Sequence, residues 1–68
     1  LKRAKKLHPD LTHNNLKFCA YLRLNLTSKE IAPLLNISVK SVEIRRYRLR
    51  KKLNLSSKTN LTDYILSI

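Results

Sequence analysis

Between Lys40 and Lys52 the chain carries Lys40, Arg45, Arg46, Arg48, Arg50, Lys51 and Lys52 against a single acid, Glu43. Cations gathered this densely on one segment suit a polyanion: nucleic acid first and an anionic membrane surface second, with a merely solvated helix face as the plainest alternative. The whole chain repeats the bias, with a net charge of +11 over 68 residues. Catalysis finds no comparable set, because the acids are scattered over separate segments and no Ser-His-Asp trio or glycine-rich phosphate loop is present. His8, His13 and the lone Cys19 fall short of a four-ligand metal site. No enzyme activity, metal, cofactor or internal disulfide is therefore expected.

A chain this short forms one small domain with a compact core and no enclosed catalytic cleft. Its apolar runs are brief and interrupted by charge, so they read as neither a membrane span nor a secretory signal. The lack of any methionine suggests a segment of a longer protein. Residues 1–10 read as a basic lead-in closed by a turn, since Pro9 discourages helix at His8.

From residue 11 the pattern predicts an all-α, four-helix domain. Thr12 can cap a helix over 13–24, whose core stripe is Asn15, Phe18, Cys19, Leu22 and then Leu26. Cys19 on that stripe reads as a small buried apolar group rather than a nucleophile. A second apolar line, Leu16, Ala20 and Leu24 beside Tyr21, would support another helix or meet a partner. Thr27 to Glu30 is a capping box that opens a helix over 28–35, with Ile31, Leu34 and Leu35 turned inward. Pro33 conflicts with it at a cost of about 3 kcal/mol, which predicts a kink or a tightened end.

Ser38 can cap a long helix over 39–53. Val39, Val42, Leu49 and Leu53 share one face, while Lys40, Ile44, Tyr47 and Lys51 share the opposite one. A last helix over 61–67 starts with Asn60 and Asp63 in capping register and carries the stripe Leu61, Tyr64, Ile65 and Ile68.

Asn-x-Ser/Thr occurs at Asn25, Asn36, Asn54 and Asn60. With no glycine in the chain, Asn25, Asn36 and Asn54 fall where helices must end in the left-handed conformation, which asparagine tolerates. The following Leu or Ile can fold back on the helix just ended. The pattern therefore reads as helix punctuation rather than as glycosylation signals.

The helices over 28–35 and 39–53, joined by a turn at Asn36 and Ile37, have the spacing of a helix-turn-helix. Small Ala32 permits close approach, while Ile31, Leu35, Ile37 and Val42 hold the angle. With "LT" at Leu11 and Thr12, "SKEIA" at Ser28 to Ala32, "LLNIS" at Leu34 to Ser38, "SVEI" at Ser41 to Ile44 and "LRKKLNL" at Leu49 to Leu55, residues 11–68 resemble the LuxR-type (GerE-like) DNA-binding domain. Within that family the segment resembles the C-terminal output domain of triple-tyrosine-motif sensor-regulators. This implies a cytoplasmic location, at the cytoplasmic end of a membrane-anchored sensor, with no membrane contact by the domain itself.

The resemblance implies that the helix over 39–53 enters the major groove of double-stranded DNA, with base-reading positions at Glu43, Ile44 and Tyr47. Glu43 could accept from a cytosine amino group and Ile44 could pack on a thymine methyl. Glu43 has a competing use in pairing with Arg46 or Tyr47. Lys40, Arg46, Arg48 and Lys51 are the phosphate-contacting candidates, although Arg45 or Arg46 could instead pair with Glu30 or Asp63. The last helix resembles the family's dimer-forming helix, making Leu61, Tyr64, Ile65 and Ile68 interface candidates; packing on the domain's own first helix is the competing role.

Departures from the family are Glu43 in place of a basic residue, Arg45 in place of histidine, and Asn14 and Asn15 in place of an Arg-Glu pair. Contact with RNA polymerase, as in a sigma-region-4-like promoter module, is one alternative function. A basic RNA-binding or anionic-surface module is another, weakened by the small number of aromatics: Phe18, Tyr21, Tyr47 and Tyr64.

Overall fold

The computed structural model describes residues 2–68, with side chains from Arg3 onward; the start of the basic lead-in lies outside the described residues. Helices α1 (Lys2–Leu7), α2 (His13–Arg23), α3 (Ser28–Leu35), α4 (Val39–Lys52) and α5 (Leu61–Ser67) follow one another, with no strand among the described residues. The chain is all-α, as the periodicity predicts.

The lead-in, however, is helical. Lys, Arg, Ala and Leu are all good helix formers, and Ala4 is buried in the core at 1% exposure. Helix α1 stops at Leu7, ahead of the turn at Pro9 and Asp10. Lys5 fastens that stop by donating from Nζ to the carbonyls of Pro9 at 2.7 Å and Leu11 at 2.6 Å. The basic composition suggested a connection, whereas the single alanine among the cations is what docks it.

Each later helix starts on a side chain that accepts from a free amide of the first turn. Thr12 Oγ1 accepts from Asn15, Thr27 Oγ1 from Glu30, Ser38 Oγ from Ser41 and Asn60 Oδ1 from Asp63. Two of these close reciprocally: Thr12 N donates to Asn15 Oδ1 and Thr27 N donates to Glu30 Oε1. Asn15, placed on the core stripe by periodicity, is half-buried and does this capping work.

Three helix ends share one geometry. Asn25, Asn36 and Asn54 have φ of 61°, 56° and 58°, all left-handed. The amide after each reaches back five residues: Leu26 to Tyr21 at 3.4 Å, Ile37 to Ala32 at 3.0 Å and Leu55 to Arg50 at 3.1 Å. These are Schellman closures, with Leu26, Ile37 and Leu55 folded against the core. Pro33 sits on the exposed side of α3, and its carbonyl accepts from Asn36 at 3.3 Å, so the helix tightens and ends two residues later.

Helix α3 packs on α4, and α2 packs on α5. Phe18, Cys19 and Leu22 of α2 meet Ile31 and Ala32 of α3, Val42 and Leu49 of α4, and Leu61 and Ile65 of α5 in one buried cluster. Two apolar side chains depart from expectation: Leu34 is 57% exposed and Val39 is 39% exposed. Leu24, at the end of the second apolar line, is 70% exposed. With α3 only eight residues long and its inner face filled by Ile31 and Ala32, Leu34 is left on the outer side.

Candidate nucleic-acid interface

Two restraints set the pitch of α4. At its N-terminus the left-handed Asn36 and the Ser38 cap turn the chain between α3 and α4 within a few residues. At its C-terminus Asn54 closes the helix, and Arg50 ties down the next loop by donating to the carbonyls of Thr59 at 2.6 Å and Ser56 at 2.7 Å. Val42 and Leu49 on the inner face, and Leu53 at the C-cap, are buried in the core.

The opposite face of α4 is open. Lys40, Glu43, Ile44, Tyr47, Arg48 and Lys51 are all exposed, with Ile44 at 42% and Tyr47 at 59%. Large apolar groups held out of the core in this way, ringed by cations, form a surface that can read an edge and neutralise a backbone together. Lys51 Nζ lies 5.1 Å from the centre of the Tyr47 ring, a cation–π contact that draws the two side chains together on the open face. Glu43 shares no hydrogen bond with Arg46 or Tyr47 among the described residues, so its carboxylate is available on this surface.

The flanks differ. On one, Arg45 and Arg48 lie with Asn14 and Phe18 of α2 along a shallow groove, and Lys52 Nζ donates to Asn15 Oδ1 at 3.0 Å across the same seam. Helical spacing alone gave no signal for this link between residues 37 apart. On the other flank, Arg46 and Arg50 face the loop before α5.

The expected pairing of Arg45 or Arg46 with Glu30 or Asp63 is not made. Glu30 is engaged by Thr27, and Arg46 Nη1 is buried without a hydrogen-bond partner. The Thr27 amide, and secondarily its hydroxyl, holds the Glu30 carboxyl below its ordinary range. Burial pushes the Cys19 thiol up, opposed weakly by a backbone hydrogen bond, and suits its place in the core at 0% exposure.

On α5 the four interface candidates separate. Leu61 and Ile65 turn into the domain's own core at 4% and 1% exposure, because α5 must cover α2. Tyr64 is half-buried, and its hydroxyl is hydrogen-bonded to His8 Nε2 at 2.7 Å with the rings edge to face. Ile68 is half-buried against the core. The large apolar group that α5 does expose is Leu66, at 51%, one position off the predicted stripe.

Among the described residues no helix is long and apolar enough to cross a membrane, and no group of His, Cys, Asp and Glu side chains could hold a metal ion. The family model described as bacterial regulatory proteins, luxR family (GerE), matches residues 11–65. No curated protein and no solved structure matches the chain.

Proposed function

The chain belongs to the luxR family of bacterial regulatory proteins, as a DNA-binding regulatory domain, and from that membership we propose that α4 is its recognition helix, lying in the major groove of a specific operator. The observation that carries the reading is the open face of α4. It combines exposed Glu43, Ile44 and Tyr47 with exposed Lys40, Arg48 and Lys51 on a helix locked at both ends. Glu43 accepts from a cytosine amino group, and Ile44 and Tyr47 supply apolar contact to base edges. Lys40, Arg48 and Lys51 meet phosphates on either side of the groove and fix register without specifying sequence.

Two copies bind half-sites about one helical turn apart. The exposed Leu66 and the half-buried Tyr64 and Ile68 supply the apolar part of their contact. The domain acts on the cytoplasmic side as the output of a longer regulator.

Selection of bound duplexes from a random pool tests the reading, since it returns both the motif and its symmetry. On the selected duplex, Glu43→Ala relaxes base preference at one position, whereas Lys51→Ala weakens specific and random duplex alike. Equal losses on both duplexes for both variants would remove these roles. Recovery of RNA polymerase with the chain, together with no duplex binding by the chain alone, would replace the operator reading with promoter recognition.

A further inference from the structure

Behind the open face, on the flank bearing Arg46 and Arg50, the loop before α5 borders an open cleft of about 330 Å³ lined by Arg46, Arg50, Lys58, the polar residues Ser57, Thr59 and Asn60, and Leu61. Its lining holds three cations and no acid. Arg50 is committed, because its two terminal nitrogens hold the Thr59 and Ser56 carbonyls. Arg46 is not. Its Nη1 is buried with no hydrogen-bond partner, and the residue lines the cleft. Arg46 lies one turn before Arg50 on α4, so both guanidinium groups are presented to the same loop. A buried charged donor of this kind normally finds an acceptor.

We infer that this cleft binds a phosphate group. The Arg46 guanidinium and the Lys58 ammonium supply charge-assisted donors from the helix and the loop, the Ser57 hydroxyl adds a neutral one, and Arg50 is a positioning residue that shapes the loop. Donors converging from separate elements suit a tetrahedral anion, whose oxygens point several ways, better than a planar carboxylate that one guanidinium fork satisfies. The phosphate comes either from the backbone of the duplex whose groove α4 occupies or from free phosphate in solution. The first source rests on the operator reading above; the second does not.

Two measurements on the folded chain separate these sources. In the first, ¹⁵N-labelled protein is titrated with sodium phosphate against sodium chloride at equal ionic strength. A free-phosphate site gives saturable shifts at the Ser57, Lys58 and Thr59 amides and the Arg46 side chain, absent in Lys58→Gln.

In the second, the salt dependence of affinity for the selected duplex is compared for the wild-type chain, Lys58→Gln, Arg46→Gln and the control Lys6→Gln, an exposed cation of α1 outside the cleft. A backbone phosphate in the cleft lowers the slope by about 0.9 log units per log unit of salt in Lys58→Gln, and leaves Lys6→Gln at the wild-type slope. Lys58 is exposed on a loop, so its variant keeps the test intact if Arg46→Gln fails to fold.

An unchanged slope with saturable phosphate shifts assigns the cleft to free phosphate. An unchanged slope with no specific shifts overturns the site while leaving duplex recognition by α4 standing. If the wild-type chain binds no duplex, the operator reading fails and the phosphate titration alone decides the cleft.

Discussion

Replacing Asn36 by valine should destabilise the domain by about 1–2 kcal/mol, the left-handed penalty that a β-branched residue meets and that asparagine, with its short polar side chain, largely escapes. The position is well suited to isolating that one effect. Its φ of 56° and ψ of 44° lie in the middle of the left-handed basin, and its side chain is exposed, so little packing changes with the substitution. Of the two backbone bonds that close the helix, from Asn36 to Pro33 and from Ile37 to Ala32, the second requires that conformation whatever the side chain, because φ and ψ of residue 36 aim the Ile37 amide. A β-branched residue must therefore either bear the strain or release that bond.

In a domain of this size 1 kcal/mol moves the melting midpoint by roughly 4–8 °C. Thermal and urea unfolding followed by helical circular dichroism should thus place Asn36→Val well below wild type. Asn36→Gly should be neutral or slightly stabilising, because relief of the left-handed cost offsets the greater freedom of glycine in the unfolded chain. Asn25→Val and Asn54→Val, at nearly the same φ, should cost similar amounts. Valine ranking at or above asparagine at position 36 would refute the account of these joints as left-handed closures.

The Glu30 carboxyl has its pKa lowered by its bonds to Thr27, so its contribution to stability is complete above the ordinary glutamate range and fades as pH falls through the lower folded value. Urea unfolding across that range should show less acid sensitivity in Glu30→Gln than in wild type. Cys19 is buried with a raised pKa, so a thiol reagent at mildly alkaline pH should label it only after denaturant is added. Prompt labelling of the folded chain would contradict its place in the core. Ile31→Ala removes a side chain at 0% exposure between α3 and α4 and should cost about 2–5 kcal/mol in urea unfolding. Lys5→Met should cost about 1 kcal/mol and speed amide exchange in α1, since the two carbonyls that Lys5 holds lose a charged donor.

The helix joints were legible because they depend on short-range chemistry. A threonine three residues before Glu30, and asparagine where glycine is absent, are local statements about hydrogen bonds and φ, and each was met in the structure. The open face of α4 was legible for a similar reason, since Ile44 and Tyr47 stand opposite Val42 and Leu49 on any helix of that register. What escaped depends on tertiary partners. The core role of Ala4 is a property of the pocket it enters, and Lys52 meets Asn15 only once α2 and α4 are packed. Leu61 and Ile65 showed their stripe, but periodicity cannot say whether a stripe covers its own domain or a second copy. Arg46 illustrates the same limit for charge: an acid, Glu43 at helical spacing or Glu30 or Asp63 across the fold, was the expected partner, while the cleft that Arg46 lines is shared with Arg50 and Lys58.

These longer-range contacts bear on recognition as well as stability. On the proposed operator reading, the open face of α4 is only as well aimed as the helix is fixed, and its two ends are fixed by different means. At the N-terminus backbone closure at Asn36 and the Ser38 cap act within a few residues, whereas at the C-terminus Arg50 and Lys52 reach to Thr59, Ser56 and Asn15. Two cations of the basic run, Arg50 and Lys52, are thus engaged by acceptors of the domain itself. Counting positive charge along 40–52 therefore overstates the contacts α4 can make with DNA. On the proposed operator reading, the exposed cations Lys40, Arg48 and Lys51, together with Arg46 and Lys58 if the cleft is filled, would set the salt dependence, while Arg50 and Lys52 would govern affinity through geometry. Loss of Arg50 or Lys52 should accordingly weaken specific binding more than random binding, the opposite of the pattern for a phosphate contact.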